Sequence, residues 1–158
     1  MAPKSIEPRP GAALTRVRHS VNFYETDAMG IVHHSNYVRF LEHVRVEFLA
    51  EHDKPYLEYV ADGFHMPVTR VAVQYKRPTR FADIIEITGW LAWARQASFG
   101  FAYQLTVGGL LVAVGETDHA ITDLAGQPRR IPAVMRERME GWLGTPPSPA
   151  AAPARGEP

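Results

Sequence analysis

One segment concentrates the residue types that carry out catalysis: Tyr24-Glu25-Thr26-Asp27-Ala28-Met29-Gly30-Ile31-Val32-His33-His34-Ser35-Asn36-Tyr37. Asp27 stands shortly before a helix start expected at Ser35. The unsatisfied N–H groups of a first helical turn carry partial positive charge, which stabilises a carboxylate placed near them. The same groups can hold the oxygen of a polarised carbonyl. Gly30, between the two, lets the backbone turn tightly or approach a ligand closely. A carboxylate beside a donor-rich helix end suits acyl transfer. The residues also admit a plainer account, in which Asp27 caps a turn and His33, His34 and Asn36 are solvated loop side chains.

Other chemistries find less support. The chain has no cysteine, which removes disulfides, thiolate nucleophiles and Cys-based zinc sites. Its seven histidines form neither H-x-H nor H-E-x-x-H, so no metal site is expected. A G-x-S-x-G elbow and a glycine-rich phosphate loop are both missing, and no cofactor is implied. Lys plus Arg equals Asp plus Glu at 17 each, which leaves no basic field for nucleic acid. The longest apolar run, Leu110 to Val114, is far too short to span a membrane. The N-terminus lacks the apolar core of a secretory signal, and the cytoplasm is the expected location.

The 158 residues suffice for one domain. Residues 1–13 and 144–158 are rich in proline and small residues and read as disordered tails. The domain is expected over residues 14–143. Within it, Thr15 to Phe23 alternates loosely as a first strand. Ser35 is the expected N-cap of a helix. Behind it, Tyr37, Leu41, Val44 and Phe48 fall at intervals of four, three and four and form one apolar stripe. Strand-like alternation follows in Thr69 to Lys76, Ile84 to Trp90 and Phe99 to Val107. Gly108-Gly109 predicts a tight hairpin into Leu110 to Ile121. A turn at Asp123 to Gly126 precedes a closing helix that opens with Pro132 at its first position and runs through Gly141. A long helix on an antiparallel sheet is an α+β arrangement. Such a sheet leaves long edges, and pairing with a second copy is the expected protection, giving a homodimer or homotetramer.

The segment Tyr24 to Leu49 resembles the signature of hotdog-fold acyl-CoA thioesterases of the 4-hydroxybenzoyl-CoA thioesterase type. The family pattern runs Asp, two small residues, Gly, two β-branched residues, a polar or aromatic pair, then Asn-Tyr. Here it stands as Asp27, Ala28-Met29, Gly30, Ile31-Val32, His33-His34, Ser35, Asn36-Tyr37. Glu42, Arg45, Glu47 and Phe48 also sit where many bacterial members carry similar residues. A looser likeness extends from Val17 to about Met139.

The resemblance implies a five-stranded antiparallel sheet wrapped around one long helix, dimerising into one continuous sheet with the sites at the subunit interface. It implies hydrolysis of a small or medium acyl-CoA to free acid and CoA. Asp27 would attack the thioester carbonyl or activate a water for that attack. The backbone N–H near His34 would polarise the thioester oxygen, and the His34 side chain would orient water or substrate. Gly30, Ile31, Val32, Asn36 and Tyr37 would border the substrate. The phosphates of CoA need cations. Arg95 matches a basic position of that kind in the family, with Arg129 and Arg130 as further candidates or as a solvated pair before a helix.

Two departures bear on the substrate. Met29 stands where Gly or Ala is frequent, implying a narrower or more apolar pocket. His33 replaces a common Tyr or Trp, which counts against aromatic stacking there. Glu116 and Asp118, on one face of the last strand, are either a second acidic site or a polar outer face. The alternatives to an acyl-CoA thioesterase are a thioesterase acting on acyl carrier protein and a non-catalytic acyl-CoA-binding protein, which has no need of a carboxylate at the carbonyl.

Overall fold

The computed structural model describes residues 7–146. The outer parts of both expected tails, 1–6 and 147–158, lie outside the described residues. Pro10 to Ala13 and Gly144 to Thr145, assigned to the tails on composition, hydrogen-bond to each other's neighbourhood instead. Ala13 N–H donates to Trp142 O at 3.0 Å and Thr145 N–H to Pro10 O at 2.9 Å.

In chain order the elements are β1 (Thr15–Ser20), a 3-10 turn (Phe23–Glu25), α1 (Ser35–His52), α2 (Tyr56–Ala61), β2 (Phe64–His65), β3 (Val68–Tyr75), β4 (Ile84–Ala94), β5 (Ser98–Val107), β6 (Leu110–Ala120), β7 (Thr122–Asp123) and α3 (Ala133–Leu143). Five strands form one sheet in the order β1-β4-β5-β6-β3, and β2 pairs with β7 in a separate ribbon. Every pairing within the sheet is antiparallel. This is the expected α+β architecture: one long helix on one face of a five-stranded sheet.

The packing explains why α1 lies where it does. The predicted stripe is buried, and Phe40 and Leu49 widen it. Phe48 is fully enclosed and meets Phe101 of β5 edge to face, with ring centroids 5.1 Å apart. Trp142 of α3 adds a second such contact at 5.5 Å. Burying a side chain of this size contributes about 2–3 kcal/mol. Phe99, Phe101, Tyr103 and Leu105 form the sheet side of this core. Gly115 of β6 lets the helix come close, since a Cβ there would stand 2.8 Å from Leu41 Cδ1.

Several boundaries differ from expectation for local reasons. β1 ends at Ser20 because the chain turns into the 3-10 segment. His34 is the N-cap, although its backbone angles are already helical, and Ser35 is the first helical residue; the cap makes no side-chain hydrogen bond. Pro132 is the N-cap of α3 rather than its first residue, and the helix continues past Gly141 to Leu143. α2 and the β2–β7 ribbon had no periodic signal, being too short to show one. No helix among the described residues is long and apolar enough to cross a membrane.

Candidate active site

The segment between β1 and α1 is folded back on itself by short-range bonds. Asp27 N–H donates to Ile31 O and Gly30 N–H to Asp27 O, both at 2.9 Å. Gly30 sits at φ +73°, a conformation that costs a residue with a Cβ about 1–2 kcal/mol. Space is not the constraint, because a Cβ there would meet nothing closer than Arg80 Nη1 at 4.0 Å. Gly30→Ala is therefore expected to lower stability by about 1 kcal/mol and to lower turnover further, because the turn also carries Asp27. Denaturant melts run beside steady-state kinetics read the two effects separately.

Glu25 anchors this loop from beneath. Its backbone carbonyl accepts from His33 N–H and from the Asn36 side-chain amide, each at 2.8 Å. Its carboxylate accepts from Asn22 N–H at 2.8 Å and pairs with His19 Nε2 at 2.8 Å. Burial pushes the Glu25 carboxyl upward, but the bonds from Asn22 and His19 outweigh it and hold the group below its ordinary range. A second anchor comes from the segment after β3. Val32 N–H donates to Thr79 O at 2.8 Å, and the Tyr37 hydroxyl meets Thr79 Oγ1 at 2.8 Å.

The result is a cavity of about 480 Å³ lined by Asp27, Met29, Ile31, Val32, His34, Tyr37, Tyr75, Lys76, Arg77 and Pro78. Two features on its wall are chemically poised. One Asp27 oxygen, Oδ1, accepts from Met29 N–H at 2.8 Å, and Oδ2 has no partner among the described residues. The His34 N–H, at the first turn of α1, likewise lacks an acceptor among the described residues. Tyr75 Oη donates to His34 O at 3.1 Å and fixes that peptide. A free carboxylate oxygen and a free backbone donor, on two residues that line one cavity, are the groups that attack on a carbonyl uses.

Most expected residues meet here. Asp27, Ile31, Val32, His34 and Tyr37 line the cavity. Gly30 and Asn36 do not; the first forms the turn and the second spends its amide on the Glu25 carbonyl. The His33 ring meets the His34 ring at a tilt, with centroids 4.1 Å apart, and bonds Ser35 Oγ at 2.8 Å. The wall from Tyr75 to Pro78 was not anticipated. Its one signal was the run Tyr75-Lys76-Arg77-Pro78 at the point where an alternating strand ends in proline.

Arg95, Arg129 and Arg130 are not beside Asp27 within one chain. Arg129 N–H bonds Ile121 O at 2.8 Å, just beyond the end of β6 that pairs with Val68. The Asp27 cavity lies at Tyr75, the other end of β3, which pairs with Ala113. Arg95 lies over the Trp93 ring, 4.9 Å from its centroid, and Arg129 pairs with Asp123 at 2.5 Å. Glu116 and Asp118 both reach Arg70, at 3.2 and 3.5 Å, so the polar outer face accounts for them. No cluster that could hold a metal ion occurs among the described residues.

The comparisons with known proteins agree with the fold. Residues 21–139 match the family described as the thioesterase-like superfamily. The chain belongs to that superfamily and has its hotdog fold. A provisionally named esterase of Aquifex aeolicus is 32% identical over 123 residues, covering 76% of this chain and 96% of that protein. The acyl-CoA thioester hydrolase YbgC of Escherichia coli is 32% identical over 85 residues, covering 54% of this chain and 63% of that protein. The crystal structure of TT1821 from Thermus thermophilus superposes with a TM-score of 0.75 at 32% identity, covering 80% of this chain and 97% of that one.

Proposed function

We propose that this protein hydrolyses the thioester of a small or medium acyl-CoA to the free acid and CoA, with Asp27 acting on the carbonyl. The observation that carries this reading is that Asp27, with one carboxylate oxygen unbonded, and His34, with its N–H unbonded among the described residues, line the same cavity. The name of YbgC supports the substrate class. In the reaction the thioester oxygen accepts from His34 N–H, and the charge that develops there is stabilised by the helix start. Oδ2 of Asp27 either attacks the carbonyl carbon, expelling the CoA thiolate and forming a mixed anhydride that a water then hydrolyses to the free acid and the Asp27 carboxylate, or takes a proton from a water that attacks the thioester directly. Either way the thiolate leaves with the sulfur's electron pair and is protonated by solvent. A single turnover in ¹⁸O-labelled water that leaves ¹⁸O in the Asp27 carboxylate and none in the product acid establishes the anhydride route, because only hydrolysis of the anhydride at its aspartyl carbonyl places a water oxygen on the enzyme.

We further propose that the working unit is a dimer joined through β3. The strand is a sheet edge that exposes Val68, Val71 and Tyr75. The adjoining flank of α1 exposes Val38 and Val46. An unpaired edge beside contiguous apolar side chains calls for a partner. Antiparallel pairing of two such edges sets Val68 of one copy near Tyr75 of the other, so the partner closes the open side of the Asp27 cavity. Light scattering is expected to give the mass of at least two chains. Val71→Asp should shift it toward one chain and lower turnover together; a fully active monomeric wild type would refute the dimer.

A further inference from the structure

We propose that the rim of the Asp27 cavity carries a nucleotide platform, in which Lys76, Arg77 and Arg80 meet the phosphates of coenzyme A and the exposed Phe23–Phe81 pair stacks on its adenine. This rests on the acyl-CoA reading and assigns the carrier's position on the protein.

The three cations share one short run, Lys76-Arg77-Pro78-Thr79-Arg80, leaving the end of β3. Its backbone is fixed: Lys76 and Arg77 N–H groups both bond Val112 O, at 2.7 and 3.1 Å, and Thr79 O holds Val32 N–H. The charges therefore project from a set frame. Arg77 donates to Leu111 O at 2.7 Å and Arg80 to Gly30 O at 3.5 Å. Both acceptors are neutral carbonyls. Among the described residues none of the three cations forms an ion pair, whereas Arg70, Arg129 and Arg138 each hold a carboxylate. The nearby Asp83 carboxylate is used by the Arg80 backbone N–H, at 2.8 Å. The Asp83 carboxylate keeps its charge, so the run Lys76 to Asp83 carries three cations against one anion, and this excess beside the site is where a multiply charged anion pairs best.

The aromatic pair supplies the second half. Phe23 is 76% and Phe81 58% exposed, and their rings meet edge to face with centroids 5.8 Å apart at 87°. Phe81 follows Arg80 directly, and Phe23 opens the 3-10 turn ahead of Asp27. Two phenyl rings held in water beside cations gain little from each other, but they offer a face to a flat base whose phosphates the cations hold. Neither ring borders the cavity itself, which suits a nucleotide separated from its thioester by a long, flexible arm.

The test uses one acyl group on three carriers: CoA, 4′-phosphopantetheine and N-acetylcysteamine. In Lys76→Glu/Arg77→Glu, the ratio of kcat/KM for acyl-CoA to that for the N-acetylcysteamine thioester is expected to fall about 10–100-fold, and added salt should erode the same ratio in wild type. In Phe23→Ser/Phe81→Ser, the ratio for acyl-CoA over acyl-phosphopantetheine should fall about tenfold. Lys76→Glu alone, whose side chain makes no hydrogen bond among the described residues, serves if the double variant fails to fold. Ratios within twofold of wild type would overturn the platform. Calorimetric binding of CoA itself decides the matter apart from catalysis. A protein that hydrolyses none of the thioesters yet binds CoA with this same dependence keeps the platform and loses the hydrolase reading. CoA affinity indifferent to the charge reversal removes the platform.

Discussion

Asp27→Asn is expected to lower kcat by about 10²–10⁴-fold, the range that loss of a positioned base or nucleophile produces, with little change in stability. The amide keeps the shape and can still accept Met29 N–H through its oxygen, the bond that orients the side chain at 2.8 Å. What it loses is the anionic second oxygen, which has no partner among the described residues. Substrate affinity should change much less than kcat, because Ile31, Val32, Tyr37 and Tyr75 still form the walls. A proportional loss in affinity alone would instead make Asp27 a binding group.

Acid should unfold the protein through a residue far from the carbonyl site. His119 of β6 is completely buried against β5 and the segment before β3. Burial first, then the nearby Arg45 cation, push its imidazole down to about 4. A single donor order satisfies the whole chain of groups. Arg45 Nη1 donates to Tyr103 Oη at 3.4 Å and Tyr103 O–H to Thr117 Oγ1 at 2.7 Å. Thr117 O–H donates to His119 Nε2 at 2.8 Å and His119 Nδ1–H to Met66 O at 3.3 Å. A proton on Nε2 breaks this order and faces Thr117 with a second donor. The unfolded chain takes up that proton near pH 6.5 and the folded one only near 4. The stabilisation is thus complete above about pH 6.5, falls as pH drops through that window, and is lost below about 4. The shift corresponds to about 3 kcal/mol. Denaturant unfolding from pH 7.5 to 4 should show this loss, and His119→Gln should flatten the slope. Parallel slopes in the two proteins would contradict the assignment.

The parts of this molecule that read directly from the sequence are those set by local period. Tyr37, Leu41, Val44 and Phe48 point to one side of any helix they form, and Phe99 to Val107 alternates as only a strand can, so α1 and β5 were legible. α2 and the β2–β7 ribbon depend on tertiary contacts such as Tyr59 with Asp53 and Tyr56 with Met66, which leave no periodic trace. The cavity divides in the same way. Asp27 to Tyr37 is one contiguous run held by bonds within itself, so its chemistry could be proposed residue by residue. The opposite wall reaches it through contacts such as Tyr75 on His34, Thr79 on Tyr37 and Val32, and Arg80 on Gly30. Those contacts span distant positions in the chain, and the run Tyr75 to Pro78 marks only the end of a strand, not what that end will touch. Arg95, expected from the family resemblance, lies within one chain at the far end of the sheet from Asp27, a placement set by strand registers that leave no mark on the sequence around it.

The central claim is best tested by following free-thiol release from short, medium, long and aromatic acyl-CoAs with wild-type protein beside folded Asp27→Asn. The account predicts release by wild type from at least one short or medium acyl-CoA and its near-complete loss in the variant. Release that persists at the wild-type rate in Asp27→Asn, or none from any acyl-CoA by folded wild type, would contradict it.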